Sequence, residues 1–193
     1  MIDTNALVKR WMEGDERAAE ALYQHHRDRV FGLAYGLLGD VSEAEEVAQD
    51  ALTYALLNIR RFDANRASFV TWLNIITVSR CRDRYRRRRF RIIALPDWMS
   101  RGKDIPDPGR GPESHLVETE ERSQVWSAVR DLSPQLREAI LLRYWAGHTY
   151  KEISEILGCP LRTAQSRVRL AFRELRKVLA PVQNNGFDEA VVR

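Results

Sequence analysis

Cysteine is scarce in this 193-residue chain: it has two, Cys81 and Cys159. Two thiols this far apart form neither a metal cluster of the usual spacing nor a disulfide framework, so both are expected as reduced bystanders. No stretch approaches the roughly 18 consecutive apolar residues of a membrane span, so no insertion of its own into a bilayer is expected. The first residues, Met1 to Arg10, lack the basic head, apolar stretch and small-residue cleavage site of a secretory leader, and a cytoplasmic location is expected. There are 4 histidines and no zinc-binding pair among them. With no phosphate-binding glycine loop and no nucleophile beside an identifiable base, the sequence carries no enzyme signal, and no cofactor or metal is expected. His25 and His26 are neighbours and so point apart on a helix, with His26 on the apolar side as a satisfied core histidine.

Lysine is also rare, and arginine supplies most of the 31 basic residues that oppose 27 acids. The net charge is only +4, so its distribution matters more than its sum. From Glu13 to Asn58 ten acids face three arginines, a local charge of −7. From Arg60 to Arg91 eleven arginines face two acids, giving +9, and from Leu161 to Lys177 six bases face one acid, giving +5. Two separate basic blocks attract polyanions through counterion release, and nucleic acid is the commonest such partner.

Apolar residues recur at three and four rather than at two, which makes the chain helical almost throughout. Leu22, His26, Val30, Leu33 and Leu37 share a stripe that ends at Gly39. Ser42, three before Glu45, has the spacing of a capping box opening a helix whose apolar side is Ala44, Val47, Ala48, Ala51, Leu52 and Ala55. Arg61 to Ala67 break the period and read as a loop. Ser68 then caps a helix that buries Phe69, Trp72, Leu73 and Ile76 and runs to about Phe90. Residues 94–115 hold four prolines and three glycines, the composition of a linker. Beyond them, Ser133-Pro134 opens a helix that stops at Gly147. Thr149 and Glu152 form a second capping box, Gly158 ends that short helix, and a last helix from about Leu161 to Leu179 buries Ala164, Val168, Ala171, Leu175 and Val178. The expected fold is all-α, with two small helical domains over 1–92 and 118–181, a flexible linker over 93–117 and a tail over 182–193.

A short capped helix, a glycine turn and a longer basic helix make the outline of a helix-turn-helix, whose second helix enters the major groove. Arg162, Thr163, Gln165, Ser166, Arg167 and Arg169 lie exposed near its start. Arginine addresses guanine bidentately, glutamine addresses adenine, and hydroxyls serve bases or phosphates. In the first basic block Arg80, Arg84, Arg87 and Arg91 fall on one side of the helix and Arg82, Arg86 and Arg89 on another, suited to phosphates without sequence preference. The preceding loop joins Phe62, an open stacking surface, to the polar tips of Asp63, Asn65 and Arg66, the equipment for holding an unstacked base. Phe69 and Trp72 read as core. The face carrying Glu46, Gln49, Asp50 and Thr53 is either a solvated surface or a dock for a basic protein.

These residues resemble a known family. Leu38 through Ala51, then Arg61-Phe62-Asp63, Phe69, Trp72-Leu73, Ile76 and Asp83 before the arginine run, are similar to conserved region 2 of bacterial sigma factors of the extracytoplasmic-function (ECF) group. Leu132-Ser133-Pro134 and Tyr150 through Gly158 into Thr163 to Val168 are similar to region 4, a pattern shared with general helix-turn-helix regulators. The resemblance implies a promoter-specificity subunit of RNA polymerase, with no active site of its own. It implies that Glu46, Gln49, Asp50 and Thr53 dock on the core enzyme. The loop from Arg61 to Ser68, with Arg61, Phe62, Asp63, Asn65 and Arg66, and the next helix with Arg80, Arg84 and Arg87, would take the melted minus-ten element. The helix from Arg162 to Arg173, with Arg162, Thr163, Gln165, Ser166, Arg167, Arg169 and Arg173, would read the minus-thirty-five duplex. An anti-sigma factor is a possible further partner. Leu56, Ser79, Arg162 and Gln165 depart from the family's usual tryptophan, asparagine, glycine and base, and they bear on which promoter letters are read.

Overall fold

Residues 3–93 and 120–179 are described by the computed structural model of the chain. Among them are eight α-helices, one 3-10 turn and no strand: α1 Thr4–Met12, α2 Glu16–Leu38, α3 Val41–Leu57, the turn Ile59–Arg61, α4 Phe69–Ile93, α5 Glu120–Asp131, α6 Pro134–Tyr144, α7 Tyr150–Leu157 and α8 Leu161–Leu179. The chain is all-α, as the periodicity requires. Apart from Ile93, the linker expected over 93–117 lies outside the described residues, as does the tail over 182–193.

The helix ends follow local chemistry. Gly39 closes α2 in the left-handed region at φ 71°, where a side chain would be strained. Asp40 then starts α3, its carboxylate accepting from the Glu43 N–H at 2.8 Å. The cap therefore stands two residues before Ser42, because an aspartate directly after the glycine reaches the free N–H groups first. Ser68 caps α4 as expected, its Oγ accepting from the Thr71 N–H at 3.1 Å. Ser133 precedes Pro134 at the start of α6 without a side-chain cap. The box at α7 is complete: Thr149 Oγ1 accepts from the Glu152 N–H, and Glu152 Oε2 accepts from the Thr149 N–H. Helix α1, capped by Asp3, has no counterpart among the elements expected from periodicity. It docks by burying Val8 and by donating from Trp11 Nε1 to the Leu56 carbonyl at 2.9 Å.

In the first unit α2 packs against α1, α3 and α4. Ala44, Ala48, Ala51 and Ala55 recur at three and four along α3 and are all buried, which lets this helix approach its neighbours closely. Leu22, Leu52, Leu73 and Phe69 fill the interior. Burying each such side chain is worth about 1.5–3 kcal/mol. His26 joins this core beside the Phe69 ring, 5.3 Å between centroids, yet its Nε2 has no hydrogen-bond partner among the described residues. It is buried as its position on the stripe requires, but it is not satisfied.

In the second unit α6, α7 and α8 pack mutually, and α5 lies on α8. The two units do not stand apart. One apolar cluster joins Leu33, Leu37, Val47, Val78 and Cys81 of the first to Val129, Leu141, Leu142, Ile153 and Val168 of the second. Helix α4 meets α7, and α2 meets α5 and α6. The sequence pattern shows two helical units; it does not show that they share a core.

Candidate nucleic-acid and protein interface

Three exposed surfaces carry the residues singled out by sequence. On α3, Glu46, Gln49, Asp50 and Thr53 are all exposed, because the alanine-rich stripe on the opposite side is what α2 and α4 bury. This acidic row adjoins the basic helix. Arg84 pairs with Glu46, and the Arg80 guanidinium lies 5.1 Å from the centre of the Tyr54 ring. An ion pair this exposed contributes at most about 1 kcal/mol, so a polyanion can compete for Arg84 at little cost. Arg87 is exposed on the same helix.

The second surface is the loop before α4. Arg61, Asp63, Asn65 and Arg66 are exposed. Asp63 shapes the turn by accepting the Asn65 N–H on Oδ1 at 2.9 Å, while its carbonyl accepts the Arg66 N–H at 3.1 Å. Arg61 donates to Tyr54 Oη at 3.3 Å. Phe62 corrects the expectation of an open stacking surface. It is 8% exposed, edge-on to Phe69 at 5.7 Å and beside Trp72 at 5.5 Å between ring centroids. The aromatic trio anchors the loop, because the backbone after the 3-10 turn is extended at Phe62 and aims its ring inward. Phe69 is core as expected, and Trp72 is half-buried.

The third surface is α8. Gly158 ends α7 at φ 63°, and the Cys159 and Gly158 N–H groups bond back to the Ser154 and Glu155 carbonyls. This double bond pattern fixes the angle between α7 and α8. Ala164, Val168 and Ala171 are buried on one side of α8, which turns Arg162, Gln165, Arg169 and Arg173 outward and leaves Thr163, Ser166 and Arg167 half-exposed. The helix thus presents a stripe at three and four of arginine and amide donors, the geometry for entering a major groove.

Sequence reasoning missed the polar contacts between the units. Thr71 Oγ1 donates to Glu152 Oε1 at 3.1 Å, Asn74 Nδ2 lies 2.7 Å from His148 Nε2, and Arg82 holds Glu138 bidentately at 2.8 and 2.7 Å. Burial raises the Glu152 carboxyl, but hydrogen bonds from Thr149 and Thr71 hold it below its ordinary value. Burial pushes the Cys81 thiol up to about 12, with Glu138 and Glu43 adding to the effect, so it stays an inert thiol. A readable signal existed in the pair Gly32 and Gly36, glycines within α2 where no turn requires them.

Comparison with known proteins places these surfaces in a family. Residues 22–91 match Sigma-70 region 2, and residues 122–175 match Sigma-70, region 4. The chain is 31% identical over 177 residues to the ECF RNA polymerase sigma factor SigW of Bacillus subtilis, covering 89% of this chain and 94% of that one. It is 31% identical over 178 residues to the ECF RNA polymerase sigma factor SigK of Mycobacterium tuberculosis, covering 92% and 94%. The fold is similar to that of the sigma factor RpoE of Bartonella quintana in complex with the anti-sigma factor NepR, with a TM-score of 0.70, 23% identity and coverage of 85% of this chain and 98% of that one. It is also similar to CnrH in complex with the cytosolic domain of CnrY, with a TM-score of 0.68, 21% identity and coverage of 94% and 100%. The matches to both sigma regions and the identity of 31% to ECF sigma factors over most of the chain thus make this chain a member of the ECF RNA polymerase sigma factor family.

Proposed function

We propose that this sigma factor divides its work among the three exposed surfaces. The acidic row Glu46, Gln49, Asp50 and Thr53 docks on core RNA polymerase. The loop residues Arg61, Asp63, Asn65 and Arg66, with Arg80, Arg84 and Arg87, take the melted minus-ten strand, and Phe62 holds that loop in shape from beneath. The α8 stripe, Arg162, Thr163, Gln165, Ser166, Arg167, Arg169 and Arg173, reads the minus-thirty-five duplex. The protein directs initiation and leaves catalysis to the polymerase. It works in the cytoplasm, beside that enzyme, and an anti-sigma factor covering these surfaces is a fitting regulator.

The observation that supports this division is the separation of charge. The carboxylates face outward on α3, while arginines face outward on α8 and on the loop before α4, so one molecule offers a protein of basic character and a polyanion different faces. A stand-alone helix-turn-helix regulator needs α8 but leaves the acidic row idle. Charge reversal at Asp50 separates the two. Asp50→Arg is expected to abolish holoenzyme formation at low salt while the isolated chain keeps its affinity for a minus-thirty-five duplex. Unchanged polymerase binding refutes the docking role.

A further inference from the structure

We propose that Tyr54 is a positioning residue of the strand-binding surface: standing between Arg61 of the loop and Arg80 of α4, it sets their two guanidinium groups for neighbouring phosphates of an unpaired strand. The inference deepens the minus-ten reading and rests on it.

Tyr54 follows Thr53 on α3, and one step of about 100° around the helix carries it out of the exposed row towards α4. It is half-buried and packs against the core of the first unit. Its backbone is fastened as well, because the Asn58 N–H and Nδ2 both donate to the Tyr54 carbonyl, at 3.0 and 2.9 Å. On this fixed ring two cations converge. The hydroxyl accepts from Arg61 Nη1 at 3.3 Å, and the Arg80 guanidinium lies 5.1 Å from the ring centre. The ring quadrupole attracts one cation and the hydroxyl oxygen the other, so a single side chain holds both. Their separation cannot exceed the span of one phenol and its two contacts.

Three other arginines of α4 are already occupied. Arg82 is held by Glu138, Arg84 by Glu46 and Arg86 by Asp83. Arg61 and Arg80 have no carboxylate partner among the described residues, and the tyrosine takes that place without neutralising either charge. The carboxylate of the loop itself, Asp63, is turned to the Asn65 N–H. Two like charges held beside one uncharged group repel each other, and a polyanion removes that repulsion.

Phosphate fits this pair better than a base does. Guanidinium forks match phosphate oxygens two bonds at a time, whereas the Tyr54 face that could stack on a base is covered by Arg80. A free arginine loses rotamer freedom when it grips a phosphate, and one already held in place loses less. Preorganisation is what the tyrosine supplies, and its bond to Arg61 also fastens the loop to α3.

Holoenzyme assembled from core polymerase and each full chain, titrated with labelled mixed-sequence single-stranded DNA and compared with core polymerase alone, tests this. Tyr54→Leu is expected to weaken strand binding about tenfold. Arg61→Ala and Arg80→Ala are each expected to lower the salt slope by about 0.7, the share of one phosphate on a single strand. Tyr54→Phe keeps the ring and drops the hydroxyl, which separates positioning from packing and stands even if leucine destabilises α3. It is expected to weaken binding about threefold in the wild-type and Arg80→Ala chains, and to have no effect once Arg61→Ala is present. A Tyr54→Phe chain that binds as the wild type does, or that loses as much without Arg61 as with it, overturns the inference. So does failure of that chain to join core polymerase, which puts Tyr54 in the docking row beside Thr53. If wild-type holoenzyme holds the strand no better than core polymerase alone, the minus-ten reading itself falls and takes the inference with it.

Discussion

Asn74 and His148, 74 positions apart, meet side chain to side chain at 2.7 Å in a seam closed to solvent. With the Asn74 amide donating, His148 accepts on Nε2 and carries its proton on Nδ1, 3.6 Å from Glu152 Oε2. Burial lowers the His148 pKa, opposed by Glu152, so the ring stays neutral and its accepting nitrogen stays available. The bond ties the helix proposed for the minus-ten strand to the turn that begins the helix-turn-helix.

His26 makes stability fall in mild acid. Burial, with the charges of His25 and Arg29 adding to it, lowers its pKa from 6.5 to about 4. The unfolded chain therefore binds the proton first. The full stability is present above pH 6.5 and is lost progressively as pH falls towards 4, a loss of about 3 kcal/mol. Urea midpoints measured between pH 7.5 and pH 4.5 check this. His26→Leu is expected to flatten the profile, since it also removes the unpartnered Nε2, and a profile as steep as that of the wild type refutes the assignment.

Phe62 is an anchor, so its loss acts through the fold. Phe62→Ala leaves a cavity between Phe69 and Trp72 and is expected to cost about 3–5 kcal/mol of stability. Phe62→Leu keeps much of the volume and is expected to retain most stability and most binding to a single-stranded minus-ten oligonucleotide. Thermal melts paired with oligonucleotide binding decide the matter. A fully stable Phe62→Ala chain that has lost the oligonucleotide restores the ring to the binding surface.

Gly158 serves the turn of the helix-turn-helix by its backbone alone. A Cβ there meets nothing within 4 Å, yet φ is +63°. Gly158→Ala is expected to lower stability by about 1–2 kcal/mol from backbone strain, with no steric clash to add to it. Gly158→Asn is expected to cost less, because asparagine tolerates the left-handed region. Equal melting temperatures for all three chains count against this.

Under the proposed duplex reading, the arginines of α8 are expected to divide by role. Arg173→Ala, removing a contact far from the helix start, is expected to weaken duplex binding similarly for all sequences and to reduce the salt slope by about one. Arg167→Ala is expected to cost about 1–3 kcal/mol on the preferred duplex and to relax discrimination at one position. Binding isotherms at several salt concentrations on matched and mutated duplexes separate the two behaviours.

The sequence by itself determined the helices other than α1, their order and the charge they carry outward. Gly39, Ser68, the Thr149–Glu152 box and Gly158 act within four residues of where they stand, so their effect is readable from neighbours alone. The stripes of α3 and α8 are equally local, and so the carboxylate row and the arginine row were legible, although Val178, expected in the buried stripe of α8, is exposed because no neighbouring element among the described residues reaches the end of that helix. Even here competition among adjacent caps shifted the start of α3 to Asp40.

Only the tertiary structure decided what lies against those stripes. It turned Phe62 inward, left His26 without a partner and brought α7 onto α4. Gly32 and Gly36 look like weak points of α2 until Trp145 and Leu141 lie against them. Such contacts join residues far apart in the chain, and their energy depends on shape and desolvation, which no periodicity records.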